Sequence, residues 1–360
     1  MSAAKNLLFD IVCLAGMLIG LPLLGVWLAG LPLEPYFEFP PQTRFVQHAP
    51  FSWTAFCWYS ALIAAVTFTV AFRALRAYRR NLPPAANGAH PFPGWGWVAV
   101  AAGAAAWVLA WTRFPWMAAF QPHTFTPLWL AYIAGVNALC RRRTGRSLLT
   151  HRPLYFLSLF PASALFWWFF EYLNRFVQNW YYVGERFGPW EYFWYATLPF
   201  ATVLPAVLST QELIRSFAWF QHAFGQMRPL SGFGHPILPL AVLAAAAGGL
   251  AAIGVWPDLF HSLVWVAPLL IIVALKRLRH ESHPLQDLAR TDWTAPMSAA
   301  LAALVCGFFW EMWNFYSLAK WKYSIPFVHR FEVFEMPLLG YAGYLPFGLE
   351  CAVIAGLLES

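Results

Sequence analysis

The feature that most constrains this chain is a series of apolar runs, each close to the length of a bilayer-crossing helix. A helix rises about 1.5 Å per residue, so about 20 apolar residues cross a hydrocarbon core of about 30 Å. Ten such runs can be read, near 8–32, 53–73, 94–113, 126–140, 154–175, 190–212, 236–256, 261–276, 295–316 and 333–357. The fourth and eighth are the shortest. Only 11% of the 360 residues are charged and 60% are hydrophobic, against about 25% charged in a soluble domain. The expected fold class is all-α: a polytopic helical membrane protein of about ten transmembrane helices, with the lipid bilayer as its first partner.

Charge placement supplies an orientation. Lys5, Arg73, Arg76, Arg79, Arg80, Arg141, Arg142, Arg143, Arg146, Arg152, Arg215, Arg228, Lys276, Arg277, Arg279 and Arg290 fall in alternate loops, 16 of the 23 basic residues. By the positive-inside rule both termini lie in the cytoplasm, and a bacterial cytoplasmic membrane is the expected location. The net charge of +7 is then a topology signal, and no nucleic-acid partner is expected. The first run is too long for a signal-peptide core and reads as a retained helix. The five cysteines show no CxxC spacing and the ten histidines no HExxH, so neither a metal nor a cofactor is expected. His280 and His283 read as a solvated loop, and Glu350 as facing either the cavity of the other acids or, in preference, the cytoplasm.

An internal repeat sets the organisation. Pro127 matches Pro268, Glu171 matches Glu311, Asn174 matches Asn314, Glu191 matches Glu332, and Leu204-Pro205 matches Leu345-Pro346. The offsets are 141, 140, 140, 141 and 141. Two N-terminal helices (1–90) are thus expected before a four-helix unit (91–230) and its copy (231–360). Four is an even number, so the copies run parallel, related by an axis along the membrane normal. Equivalent groups then face each other at one depth.

The repeated groups are polar ones in an apolar setting. FFEYLNRFVQNWYY spans 169–182, and FFWEMWNFYSLAKWKY spans 308–323. Glu171 with Asn174, and Glu311 with Asn314, are three apart and share a helix face; each asparagine is expected to orient its acid. Glu191, or Glu332 with Glu335, brings further acid to the same outer side. Trp180 and Tyr182, or Trp321 and Tyr323, cover it as candidate substrate-binding aromatics. Helix locking is the alternative for the Glu/Asn pairs, and an interfacial belt or packing is the favoured reading of the individual tryptophans and tyrosines. A Glu171–Arg175 pair does not extend to the copy, where Phe315 replaces the arginine.

A carboxylic acid among aromatic faces can protonate an alkene and stabilise the resulting cation. Glu171 and Glu311 are the acid/base candidates, with Glu191, Glu332, Asn174 and Asn314 as catalytic partners. The same acids would also suit a proton- or cation-coupled transporter or channel, and a non-catalytic scaffold would use them as helix locks.

The order ALFWWFFEYLNRFVQNWYY, then GPWEYFWYATLPF, resembles the membrane lycopene cyclases of the heterodimeric or fused-domain type. In these an acid and a tryptophan-bearing turn precede a Pro-x-Glu-Glu motif. FFWEMWNFYSLAKWKY followed by FEVFEMPLLGYAGYLP is similar but more distant. The resemblance covers about 125–215 and 265–357. Pro189-Trp190-Glu191 keeps one acid of two, and the copy lacks the proline. It implies a carotenoid or other terpenoid substrate, cyclised or isomerised without a cofactor, with Glu171, Glu191, Glu311 and Glu332 at the matching positions.

Overall fold

The computed structural model describes residues 3–80, 90–230 and 235–359. The chain is mostly helical: α1 Leu8–Leu28, α2 Trp53–Tyr78, α3 Gly94–Trp111, α4 Phe125–Thr144, α5 Pro153–Val177, α6 Pro189–Phe200, α7 Val203–Arg215, α8 Leu238–Ala252, α9 Ala267–Leu278, α10 Thr294–Phe315 and α11 Tyr344–Gly356. Four short strands accompany them: β1 Trp180–Val183, β2 Lys320–Tyr323, β3 Glu332–Val333 and β4 Met336–Pro337.

Local chemistry sets the helix ends. Ser52 caps α2 by accepting the Ala55 N–H at 3.3 Å. Pro153 opens α5, where its missing N–H costs nothing, and Gln178 closes it in the left-handed region at φ 49°. Between Pro199 and Pro205 the helix breaks into α6 and α7. Ser163 of α5 satisfies the freed backbone there, donating to Phe200 O at 2.5 Å and accepting from Leu204 N at 3.0 Å.

Among the described residues, 7 helices are long and apolar enough to cross a membrane, or up to 8 if the bent pair Pro257–Trp265 and Ala267–Leu278 forms one span. That pair is bent by 59°, so the eighth expected run is a broken segment. The fourth run exists as α4, whose last turn carries Arg141, Arg142 and Arg143; those charges keep it outside the apolar class. The seventh is a helix of only 15 residues. The tenth begins at Leu338, because 332–337 folds back as the β3–β4 hairpin with Phe331 and Phe334 at positive φ.

Large apolar side chains fill most of the interior, but the closest helix contacts are made by small and polar ones, the pattern that favours helix association in lipid. In α10, Ser298, Ala299, Ala302, Ala303 and Cys306 are fully buried against α7 and α11. Gly348 of α11 lies so close that a Cβ there would sit 2.1 Å from Ala299 O. Asn137 of α4 donates to Ser209 of α7 at 2.8 Å, and Gln211 of α7 donates to Ala295 O of α10 at 3.1 Å. Such bonds average about 0.6 kcal/mol in a membrane setting, so they fix position more than they stabilise. In contrast, α2 is peripheral, with Trp58 and Phe68 75% and 72% exposed.

One apolar cluster runs through the expected units 91–230 and 231–360, joined by α7 against α10. The segments 81–89 and 231–234, which adjoin the expected boundaries, lie outside the described residues. At one end of the bundle β1 and β2 form an antiparallel ribbon. Trp180 is opposite Tyr323, Tyr181 opposite Lys322, Tyr182 opposite Trp321 and Val183 opposite Lys320. Alternation puts Trp180, Tyr182, Trp321 and Tyr323 on one face, which lies over the ends of α5 and α10.

Candidate functional site: two buried carboxyl nodes

Glu171 in the last turns of α5 and Glu311 in the last turns of α10 are 1% and 0% exposed. At Glu171, Oε1 accepts three hydrogen bonds: from Trp167 Nε1 at 3.2 Å, Trp180 Nε1 at 3.1 Å and Tyr182 Oη at 2.5 Å. At Glu311, Oε1 accepts from Tyr323 Oη at 2.7 Å and Tyr344 Oη at 2.6 Å. Trp321 stands behind Tyr323, donating to its hydroxyl at 2.8 Å. In both nodes Oε2 is buried and has no hydrogen-bond partner among the described residues. Neither carboxyl makes an ion pair there. Arg175 instead donates to Tyr36 O at 3.0 Å and Glu38 O at 2.7 Å.

The ribbon phenols are dependable donors. Burial first, and then the neighbouring Glu171 or Glu311, pushes the Tyr182 and Tyr323 hydroxyls well above the ordinary phenol range. They stay protonated at any physiological pH.

No hydrogen bond joins either asparagine to its acid among the described residues. Asn174 Nδ2 donates to Trp180 O at 2.8 Å, and its Oδ1 accepts from Asn179 N at 2.8 Å and Trp180 N at 3.3 Å. Asn314 likewise donates to Trp321 O at 2.8 Å and accepts from Trp321 N at 3.0 Å. The reason is geometric: a side chain in the last helical turn meets the backbone that folds back past the C-terminus. Each asparagine therefore fixes the strand, and the strand presents Trp and Tyr to the acid.

The other sequence candidates separate. Glu191 is exposed and accepts Gly188 N–H at 3.2 Å as part of the N-terminal cap of α6. Glu332 is exposed in the hairpin and pairs with His329 at 3.1 Å. Glu335 pairs with Lys320 at 2.5 Å and Lys322 at 3.6 Å, and lies within electrostatic reach of Glu311.

Two expectations fail for loop and helix-end groups. Glu350 is 0% exposed, with neither oxygen partnered among the described residues, because the face of α11 that carries it turns inward. His283 is 7% exposed, and burial together with Arg277 and Lys276 lowers it to about 4.

Two donors escaped the sequence reading. Trp167 lies four residues before Glu171, a spacing that signals contact on a helix. Tyr344 reaches Glu311 from α11 and depends on packing alone. The residue 140 positions after Trp167 is Gly307. A Cβ there would lie 2.3 Å from the Tyr344 ring, so the glycine clears the space that the tyrosine fills.

An aromatic wall joins the nodes, with Phe347, 0% exposed, as its hub. Phe347 meets Trp167 at 5.8 Å, Phe170 at 5.6 Å, Trp265 at 6.2 Å and Trp310 at 6.1 Å between centroids. Trp310 in turn meets Tyr344 at 5.9 Å. The segment 36–52 covers the ribbon. Thr43 accepts from Tyr182 N at 3.3 Å, Val46 O accepts from Ser324 Oγ at 2.7 Å, and Ser52 N donates to Phe327 O at 2.9 Å. His48 contacts Asp258 at 2.6 Å, a pair absent from the sequence reading.

Comparison with protein-family models, with curated proteins and with solved structures gives no match.

Proposed function

We propose that the chain is a ten-span integral membrane enzyme, with both termini cytoplasmic, that carries out acid-initiated cyclisation or isomerisation of an isoprenoid lipid. In this reading α3, α4, α5 and α6–α7 are duplicated in parallel as α8, α9, α10 and α11. Matching pairs support the duplication: α3 packs on α4 as α8 packs on α9, and α5 on α7 as α10 on α11. The ribbon supports it too. Trp180 opposite Tyr323 and Tyr182 opposite Trp321 exchange under the 141-residue offset, as a local two-fold axis requires.

One observation carries the catalytic reading. Each node clamps one carboxyl oxygen, with one phenol and two indoles at Glu171 and two phenols at Glu311, and leaves the other buried and unpartnered among the described residues. A clamped carboxyl with a free oxygen is an oriented proton donor or acceptor. Three donors stabilise a carboxylate better than two, so Glu171 takes the base role and Glu311 the acid role.

Glu311 gives its proton to one carbon of an alkene, forming a C–H bond from the π electrons and leaving a carbocation. In cyclisation a second alkene attacks the cationic carbon and carries the positive charge to its own far carbon; in either course a C–H bond beside the final cation gives its electrons to a new alkene and releases its proton. The departing proton goes to Glu171, so the overall change is an isomerisation and needs no oxidant. The aromatic wall lends cation–π stabilisation of about 2 kcal/mol when desolvated. The lycopene cyclases that the sequence resembles support a carotenoid or related terpenoid substrate.

Expression in hosts accumulating lycopene or linear triterpenes, followed by lipid extraction, tests this. A new isomeric product is expected with the intact chain and none with Glu311→Gln inserted at equal level. No altered isoprenoid, together with uptake driven by a pH gradient in proteoliposomes, would favour transport instead.

A further inference from the structure

The Glu171 side holds polar groups that the proposed chemistry does not use. Tyr192 of α6 has its hydroxyl buried and unpartnered among the described residues, and the same is true of Arg175 Nε. Tyr192 lies within electrostatic reach of Glu171, Arg175 and Tyr182. Glu171 Oε2 is itself unpartnered among the described residues on a side chain 1% exposed, so three polar side chains of α5 and α6 lie within electrostatic reach of one another, each with an unused buried atom. Unpaired buried polar groups are costly and mark a place where a ligand or water completes the bonding.

The covering side chain is Phe39. Its ring meets Trp168 at 6.1 Å and Tyr192 at 6.0 Å. The same Phe39, with Pro189, Trp190 and Phe193, lines an open groove of ≈ 350 Å³ whose walls are wholly apolar. An apolar groove outside and a polar cluster inside therefore meet at one aromatic ring.

We propose that this crevice binds a lipid alcohol, with the hydroxyl among Tyr192, Arg175 and Glu171 and the chain in the Phe39 groove. The donor and acceptor pattern selects the head group. Arg175 Nε and the Tyr192 hydroxyl donate, the Glu171 carboxylate accepts, and an alcohol oxygen accepts two bonds while donating one. A phosphate head would set negative charge against Glu171. The isoprenoid nature of the chain rests on the function proposed above; the hydroxyl recognition does not. The other half lacks the cluster: by the same offsets, Phe315 stands for Arg175 and Val333 for Tyr192.

The test uses the full chain in nanodiscs and tritiated geranylgeraniol. Saturable binding is expected, displaced by unlabelled geranylgeraniol but not by squalene, which has no head group. Tyr192→Phe removes only a hydroxyl with no partner among the described residues, so the thermal midpoint should hold while affinity falls about tenfold. Phe39→Ala should raise the on-rate by uncovering the cluster. Unchanged affinity in Tyr192→Phe, equal displacement by squalene, or stronger displacement by geranylgeranyl phosphate overturns the proposal. Binding as expected with no isoprenoid product in the expression test would retain this site and remove the catalytic reading.

Discussion

The two carboxyl nodes share a frame and differ in how it is filled. Both bury a glutamate near a helix end, both fix the following strand with an asparagine three residues on, and both offer the acid a strand tyrosine. The third element differs. Trp167 fills it from α5 itself, whereas Tyr344 fills it from α11 across the gap left by Gly307. Glu171 is thus held mostly by its own half's local structure, and Glu311 by tertiary packing. A contact made along one helix survives a shift of its neighbours; a contact made across two helices does not.

The sharpest way to break this comparison is chemical. Glu311→Gln should abolish product formation, at least about 100-fold, because general acid catalysis contributes typically 10²–10⁴-fold, and Glu171→Gln should do so by removing the base. Product chromatography decides it: full activity in either variant would make the nodes unequal in kind. Next come the asparagines. Asn174→Leu and Asn314→Leu each strand buried backbone groups, at about 2–3 kcal/mol. Equal losses in thermal midpoint are expected, and a loss confined to one would deny the shared frame.

Smaller effects separate local from tertiary support. Gly307→Val should push Tyr344 off Glu311 and cost about 1–3 kcal/mol by overpacking, read as a lowered unfolding midpoint. Trp167→Phe, which removes one of three donors while keeping most of the ring, should cost about 1 kcal/mol. A larger cost for Trp167→Phe than for Gly307→Val would reverse the contrast. Smallest of all, Arg175→Phe copies the second half's residue. It should free the carbonyls of Tyr36 and Glu38, speed proteolysis within 36–52 and weaken lipid-alcohol binding beside Glu171, while the hydrogen bonds to both carboxyls stay in place.

Much of this frame is legible in the chain. The apolar runs mark the helices, and the 140-residue offset draws attention to Glu171, Glu311 and the Trp-x-Tyr turns that do meet them. What pattern cannot give is direction. Glu191 shares an end of the bundle with Glu171 but opens its helix, where backbone N–H groups claim its carboxylate. Asn174 shares a face with Glu171 yet serves the returning strand. Tyr344 and Glu350 depend on the rotation of α11 about its axis, which its weakly patterned apolar sequence leaves open. The hairpin at 332–337 defeats a hydropathy reading because Glu332 and Glu335 find partners in His329, Lys320 and Lys322 rather than water alone.

The β1–β2 ribbon also sets a timetable for biogenesis. Its strands are far apart in sequence, with Trp180 opposite Tyr323. Synthesis at about 5–20 residues per second leaves β1 without its partner for roughly 7–30 s. During that interval Glu171 can already have Trp167, Trp180 and Tyr182 around it, while an open strand edge waits beside it. A nascent chain halted before β2 would carry one finished node and one adhesive edge, so quality control has a distinct half-built species to recognise.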